Sequence, residues 1–196
     1  MHDDNTNSIG NGFSTLNSLA MSDGLLLGAF GLMTFAAMLL VLPWGLSGLL
    51  GMVSIVGWVL LLCFCSKKRS ALFLKSGYEW SFGKAYIHSL LVELFASAWV
   101  AVAVYVWFRY FDNGYFANSM IDLTRRPEMQ QAVADMEKAG LLDDFYLVTG
   151  TDAFDKAIES FFNISPETYC SMVVSWALIA SPVIAVFIAL ICKKYK

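Results

Sequence analysis

A single acid inside a long apolar stretch is the residue of this chain best placed to do chemistry. Glu93 is the only charged residue between Lys84 and Arg109. An acid in a membrane-spanning helix is costly, so it usually faces protein or a cavity and marks a site for a proton or a cation. Glu93 is therefore a candidate intramembrane site, and a structural link between helices is the other interpretation.

The stretch around Glu93, from Trp80 to Tyr110, is long enough to cross a membrane. An α-helix needs about 20 mostly apolar residues to span the hydrocarbon core. Ser89 and Ser97 lie one turn on either side of Glu93, so the three share a helix face that we expect to pack against protein. His88 lies elsewhere around the helix and is interpreted as an interfacial histidine.

Polar residues of other spans fall at the depth of Glu93. Thr34 lies in the first apolar stretch, and Ser181 and Pro182 lie in the last. Because Pro182 has no N–H, the carbonyl of Leu178 loses its helical partner, and a protonated Glu93 could donate a hydrogen bond to it. The sequence predicts one intramembrane polar layer, made of Glu93, Ser89, Ser97, Thr34, Ser181 and Pro182.

Composition indicates an integral membrane protein. The 196 residues are 58% hydrophobic and 15% charged, which is too few charges for a soluble domain of this size. A net charge of −3 at pH 7, without an extended basic stripe, argues against nucleic-acid binding. Two histidines and four cysteines without metal-binding spacing favour neither a metal site nor disulfides, and we expect no cofactor.

Four apolar stretches predict an all-α fold, an integral membrane four-helix bundle with a helical extracytoplasmic loop between spans three and four. Two amphipathic segments, beginning at Pro127 and Thr151, supply the helices of that loop, which holds eleven acids and four basic residues. The predicted units are a flexible N-terminal tail (1–23), the first three transmembrane helices (24–110), the acidic loop (111–168), and the fourth helix with a basic C-terminus (169–196).

Almost no polar residue separates the first two spans. Pro43, Trp44 and Gly45 lie between them, which predicts a tight turn and a helical hairpin. Gly24 and Gly28 of the first span have the spacing of a close helix contact. We interpret that contact as packing within the chain rather than as a dimer motif.

The densest positive charge predicts the orientation of the chain. Lys67, Lys68 and Arg69 lie in a basic loop at 66–83 between spans two and three, and lysines also follow the fourth span. The positive-inside rule places these cations, and with four spans both termini, in the cytoplasm. We interpret the basic loop as orienting the protein and contacting anionic lipid headgroups.

Several features are distributed along most of the chain. They are the short basic loop, the start of the third span at Ser81-Phe82-Gly83-Lys84, the acidic outer loop and the last span ending in lysines. In these features the chain resembles a family of bacterial four-span membrane proteins, domain-of-unknown-function family 4199. The resemblance implies a multi-pass protein of the bacterial inner membrane. Since the family has no assigned activity, it implies no functional residue.

An enzyme, a non-enzymatic component and a transporter are the three classes of function to compare for such a protein. The sequence contains no phosphate-binding glycine loop, serine-hydrolase motif or metalloprotease motif, so we expect no catalytic residues and no enzyme. The favoured hypothesis is a non-enzymatic accessory or assembly component whose partners are the lipid bilayer and other membrane proteins or a second copy. The alternative is a small oligomeric transporter or channel in which Glu93 binds a proton or a cation.

Overall fold

The computed structural model of the protein describes residues 4–75, 79–151 and 153–192, and within these ranges it contains helices and no strand. The all-α prediction is therefore confirmed. The helices in chain order are α1 (Asp4–Val41), α2 (Ser47–Lys75), α3 (Phe82–Tyr110), α4 (Tyr115–Thr124), α5 (Pro127–Lys138), α6 (Asp143–Thr149), α7 (Phe154–Phe162) and α8 (Pro166–Cys192).

Four of the described helices, α1, α2, α3 and α8, are long and apolar enough to cross a membrane. The apolar stretches run through Thr15–Trp44, Ser47–Lys75, Phe82–Tyr110 and Pro166–Cys192. The prediction of four transmembrane helices is confirmed. The lysines that follow α8, at 193–196, lie outside the described residues.

The third span, α3, is the central helix of the bundle. Helices α1 and α8 both pack along α3, whereas α2 packs mainly on α1. The shared core takes at least one side chain from each span: Leu27, Leu62, Val92 and Ile188. Accordingly, 33% of the residues in the most apolar segment of α3 are buried inside the protein. In the corresponding segment of α2 the buried share is only 11%.

Small and polar side chains allow α3 to occupy this central place. Ser81 caps its first turn by accepting a hydrogen bond from the Lys84 N–H at 3.4 Å. The face predicted to contact protein is buried, and its members include Ala85, Ser89, Glu93, Ala96 and Ala101. Such short side chains let helix backbones approach closely. Close packing of this kind drives helix association in a membrane, where the hydrophobic effect between helices is lost.

The turn between α1 and α2 is as tight as predicted. Leu42–Trp44 form one 3₁₀ turn, and Gly45 ends it in the left-handed conformation at φ 73°. Arg126, which immediately precedes α5, donates hydrogen bonds to the carbonyls of Pro43 and, at 3.5 Å, Trp44. The loop between α3 and α8 therefore satisfies backbone groups at the exposed end of the hairpin.

Helices α1 and α2 are longer than predicted. A helix from Asp4 replaces the flexible tail assigned to residues 1–23, of which 1–3 lie outside the described residues. Helix α2 continues to Lys75, so much of the predicted loop at 66–83 is helical. Tertiary packing explains why α1 begins earlier than predicted. Ala20 is fully buried, and such packing outweighs the weak helix propensity of the residues around it.

The loop between α3 and α8 contains four helices, of which two were predicted. Helix α5 begins at Pro127 as expected, whereas α7 begins at Phe154, two residues after the position implied by a Thr151 cap. Helices α4 and α6 are short, at 10 and 7 residues, and carry too little periodic pattern for the sequence to distinguish them from turns.

Substitution of Gly24 tests the contact between α1 and α3. A β-carbon at Gly24 would lie 2.7 Å from the Phe95 Cβ, whereas one at Gly48 of α2 would meet nothing within 4 Å. We expect Gly24→Ala to lower the free energy of unfolding in detergent by about 1–3 kcal/mol through overpacking. The matched control, Gly48→Ala, leaves it unchanged or slightly raised. Equal stability of the two variants would contradict the packing of α1 on α3.

Candidate functional site

A cleft between the spans brings together most of the predicted polar layer. The cavity has a volume of about 740 Å³ and is lined by all four membrane helices and by α4. Thr34 of α1, Glu93 and Ser97 of α3, and Ser181 of α8 all face it. Residues separated by as many as 147 positions in the sequence thus share one site.

The other two members of the predicted layer lie outside the cleft lining. Ser89 is fully buried one helical turn from Glu93, and its hydroxyl has no hydrogen-bond partner among the described residues. Pro182 lies inside α8 next to Ser181 and is half-buried. The structure therefore places Ser89 and Pro182 beside the cleft rather than in it.

Glu93 is the one charged side chain of the cleft lining, and it is almost completely enclosed. The residue is 2% exposed, and Ser181 is the polar neighbour of its carboxyl group. Its Oε1 atom has no hydrogen-bond partner within the described residues. No hydrogen bond from Glu93 to the Leu178 carbonyl, which the sequence predicted, is seen among the described residues, and the Leu178 side chain is 59% exposed.

Stacked aromatic rings line the end of the cleft farthest from Glu93. The rings of Phe108 and Tyr169 stack with centroids 3.8 Å apart, and Phe116 meets Phe108 edge-on at 5.5 Å. The Tyr169 hydroxyl also donates a hydrogen bond to the Phe162 carbonyl at 2.6 Å. This packing fixes α4 and α7 against the ends of α3 and α8.

A second polar site, the Asp23–Arg69–His88 cluster, joins three spans. Arg69 of α2 makes two parallel hydrogen bonds to Asp23 of α1, from Nε to Oδ2 and from Nη2 to Oδ1, each 2.7 Å long. His88 of α3 lies with its Nε2 atom 3.1 Å from Asp23 Oδ2. The fork of a guanidinium matches a carboxylate in this way, which gives the pair a fixed geometry.

The cluster is shielded from solvent. Asp23 is 5% exposed, His88 is fully buried, and the Arg69 side chain is 11% exposed. The indole of Trp80 packs edge-on against the His88 ring at 5.6 Å, and Phe73 packs on Trp80 at 4.9 Å. Because carboxylate and guanidinium neutralise each other, the Asp23–Arg69 pair places ionic groups in the bundle without adding a net charge.

Two sequence interpretations are wrong at this cluster. Arg69, assigned with Lys67 and Lys68 to a cytoplasmic loop, lies on a helix and is paired, because α2 continues well past Cys65. His88, interpreted as interfacial, is buried against Asp23. The sequence held a signal for this arrangement. If α2 continues past Cys65, helical spacing places Arg69 and Ser70 on one face with Ser66 and places Lys67 and Lys68 on other faces. In the structure Lys67 and Lys68 are exposed.

The two sites suit different chemistry. In the cluster, Asp23 already accepts hydrogen bonds on both oxygens, so it holds helices together. In the wall of the mostly apolar cleft, the Glu93 carboxyl group has an oxygen without a hydrogen-bond partner among the described residues, which suits binding. Across the described ranges, no three His, Cys, Asp or Glu side chains come together as a metal site would require.

The fold and its buried polar groups define a multi-pass membrane protein with four spans. The family model for proteins of unknown function DUF4199 matches residues 23–194, and the chain belongs to that family. The match confirms the resemblance seen in the sequence. No curated protein and no solved structure matches the chain.

Replacement of Arg69 tests whether the cluster stabilises the bundle. We expect Arg69→Leu to lower the free energy of unfolding in detergent by about 3–5 kcal/mol, because it leaves the Asp23 carboxylate buried without its cation. Lys68→Leu is the matched control, since Lys68 is exposed and its loss should change stability by less than about 0.5 kcal/mol. Similar values for the two variants would show that the pair does not hold α1 to α2.

Proposed function

We propose that this protein is a non-enzymatic accessory or assembly component of the bacterial inner membrane that acts by contacting another membrane protein. The observation that carries the proposal is an exposed apolar patch, formed by Leu141, Leu147 and Val148, on the loop between α3 and α8. These side chains are 70%, 81% and 82% exposed. Leu147 and Val148 are consecutive on α6, and exposed apolar side chains grouped outside the spans are a common mark of an interaction site.

Packing of helix α6 holds the patch in place. Phe145 lies 6.0 Å from the ring centroids of both Phe154 and Phe161 of α7. The Tyr146 hydroxyl donates a hydrogen bond to a carboxylate oxygen of Glu137 at the end of α5. One face of α6 is thus fixed to the rest of the loop, and Leu147 and Val148 are left outward.

Charge favours a protein over a lipid surface as the occupant of the patch. Asp143 and Asp144 form the first turn of α6, next to the apolar side chains. Anionic headgroups would be repelled by these acids, whereas a protein can place basic residues opposite them. Residues 111–168 contain eleven acids and four basic residues. This excess of acids also favours a protein partner over an anionic lipid surface, and it argues against nucleic acid.

The proposed orientation places residues 111–168 outside the cytoplasm and both termini inside it. Lys67 and Lys68 support this assignment, since both are exposed on the last turns of α2. Arg69 contributes less than its charge suggests because Asp23 neutralises it. The positive-inside rule then favours the cytoplasm for this end of the bundle.

A non-catalytic role is favoured by the surroundings of the buried polar groups. General acid–base catalysis places a titratable side chain within hydrogen-bond reach of the reacting proton, and active sites usually gather several such groups. Among the described residues, Ser181 is the polar neighbour of the Glu93 carboxyl group, and Asp23 is occupied by Arg69 and His88. The proposal therefore assigns no catalytic residue and no cofactor.

Crosslinking from the patch tests the partner and the orientation together. In a variant whose four native cysteines are alanine, Leu147→Cys carries a membrane-impermeant photoreactive maleimide added to intact spheroplasts. We expect one discrete protein adduct, weakened when Val148→Ser is added, since apolar contact supplies the affinity. Met129→Cys on α5 is the matched control, because Met129 is a less exposed apolar residue of the same loop. Absence of labelling from outside, or adducts with lipid alone, would contradict the proposal.

A small oligomeric transporter or channel is the second candidate function, and the position of Glu93 in the cleft favours it. Intramembrane acids on such a cavity are typical of proton and cation pathways. Proteoliposome flux separates the candidates: the accessory role requires none, whereas transport requires a flux that Glu93→Gln abolishes.

A further inference from the structure

The cleft has the size and the lining of a binding site for an organic molecule. Its volume of about 740 Å³ lies within the ~300–1,000 Å³ range of small-molecule sites. Its lining is mostly apolar, with Glu93 and Ser181 at one end and the stacked rings of Phe108 and Tyr169 at the other. A molecule that fills it is therefore largely hydrophobic and meets its polar partner at the Glu93 end.

The cleft is open toward the lipid between α2 and α8. Ile55 of α2 and Trp176 of α8 both line it, and they are 67% and 71% exposed. Near Glu93 the same two helices close together through the buried side chains of Leu62 and Ile188. A ligand dissolved in the hydrocarbon can therefore enter from the side without passing an aqueous opening.

Charge selects among hydrophobic ligands. Among the described residues that line the cavity, Glu93 is the only acid and none is basic. The Thr34 hydroxyl is used within its own helix, where it donates to the Gly31 carbonyl at 2.9 Å. The Glu93 carboxyl group lines the cavity, and its buried Oε1 atom has no hydrogen-bond partner among the described residues. A ligand at this end can supply that partner, because the carboxyl oxygen is an acceptor when ionised.

Aromatic rings favour a positive charge in the same space. The cleft lining includes Phe35, Trp58, Phe108, Phe116, Tyr169 and Trp176. The face of an aromatic ring attracts a cation, and the attraction is larger where water is excluded. A delocalised organic cation also loses less hydration on entering hydrocarbon than a compact ammonium ion does.

We propose that the cleft binds a lipophilic organic cation, with Glu93 as its counter-ion and the aromatic lining around its apolar groups. The proposal deepens the second candidate function by naming a ligand class, but it rests on the cleft and not on transport. An acyl chain would leave Glu93 without a partner, and a fatty acid would place two carboxyl groups together. Binding with or without flux is consistent with it.

Tetraphenylphosphonium and tetraphenylborate are the probes that isolate the charge, because they share size and shape and differ in sign. Purified protein in nanodiscs is dialysed to equilibrium against each radiolabelled ion, and empty nanodiscs give the background of partition into lipid. We expect one saturable tetraphenylphosphonium site per chain and no saturable tetraphenylborate site.

Three variants assign the site to the cleft. Glu93→Gln keeps the shape of the side chain and is expected to weaken tetraphenylphosphonium binding about tenfold or more. Ala177→Phe fills the cleft without touching Glu93 and should weaken binding as strongly. Glu128→Gln is the matched control, since Glu128 is an exposed acid on α5 and its loss should change nothing.

Several results would overturn the proposal. They are equal saturable binding of the two probe ions, no saturable binding of either, and unchanged affinity in a Glu93→Gln protein that elutes as the wild type does. If Glu93→Gln does not fold, unchanged affinity in Ala177→Phe overturns it instead. Failure of the crosslinking experiment at Leu147 bears on the accessory role alone.

Discussion

The ion pair between Asp23 and Arg69 is the interaction on which the arrangement of the spans depends. Its two 2.7 Å hydrogen bonds connect α1 to α2, and His88 extends the contact to α3. A charged group buried inside the bundle is tolerated only with a partner, so neither residue can leave the other without a large cost in free energy. The helices that carry these residues are therefore held in one register at this end of the bundle.

The cleft follows from where α2 is held. Its buried side chains, Leu62, Cys65, Ser66 and Ser70, all lie in its second half, near Arg69. In the first half of α2, Leu49, Met52 and Leu60 are more than 60% exposed. The helix as a whole packs mostly on α1. The buried cluster that joins α2 to α8 includes Leu62 and Ile188, and Ile55 and Trp176 of the same two helices line the cleft. Glu93 lies at the inner end of that space.

The sequence predicts the spans well because hydropathy and length decide them locally. The apolar segments, the turn at Gly45 and the start of α5 at Pro127 each rest on neighbouring residues. Asp23, Arg69 and His88 could not be grouped in this way, since pairing over 46 and 65 positions depends on how the helices pack. Burial of Glu93 was predicted from its helix face, but which residues of α8 lie beside it depends on the rotation of that helix, which brings Ser181 into the same cleft lining.

The central claim is that Asp23 and Arg69 act as a pair in the folded bundle, and a double-mutant cycle measures it most directly. Free energies of unfolding in detergent are compared for the wild type, Asp23→Leu, Arg69→Leu and the double variant. Replacing both partners with apolar side chains removes the unpaired charge, so the account predicts a double variant more stable than either single one. Losses that simply add, with the double variant the least stable of the four, would contradict it.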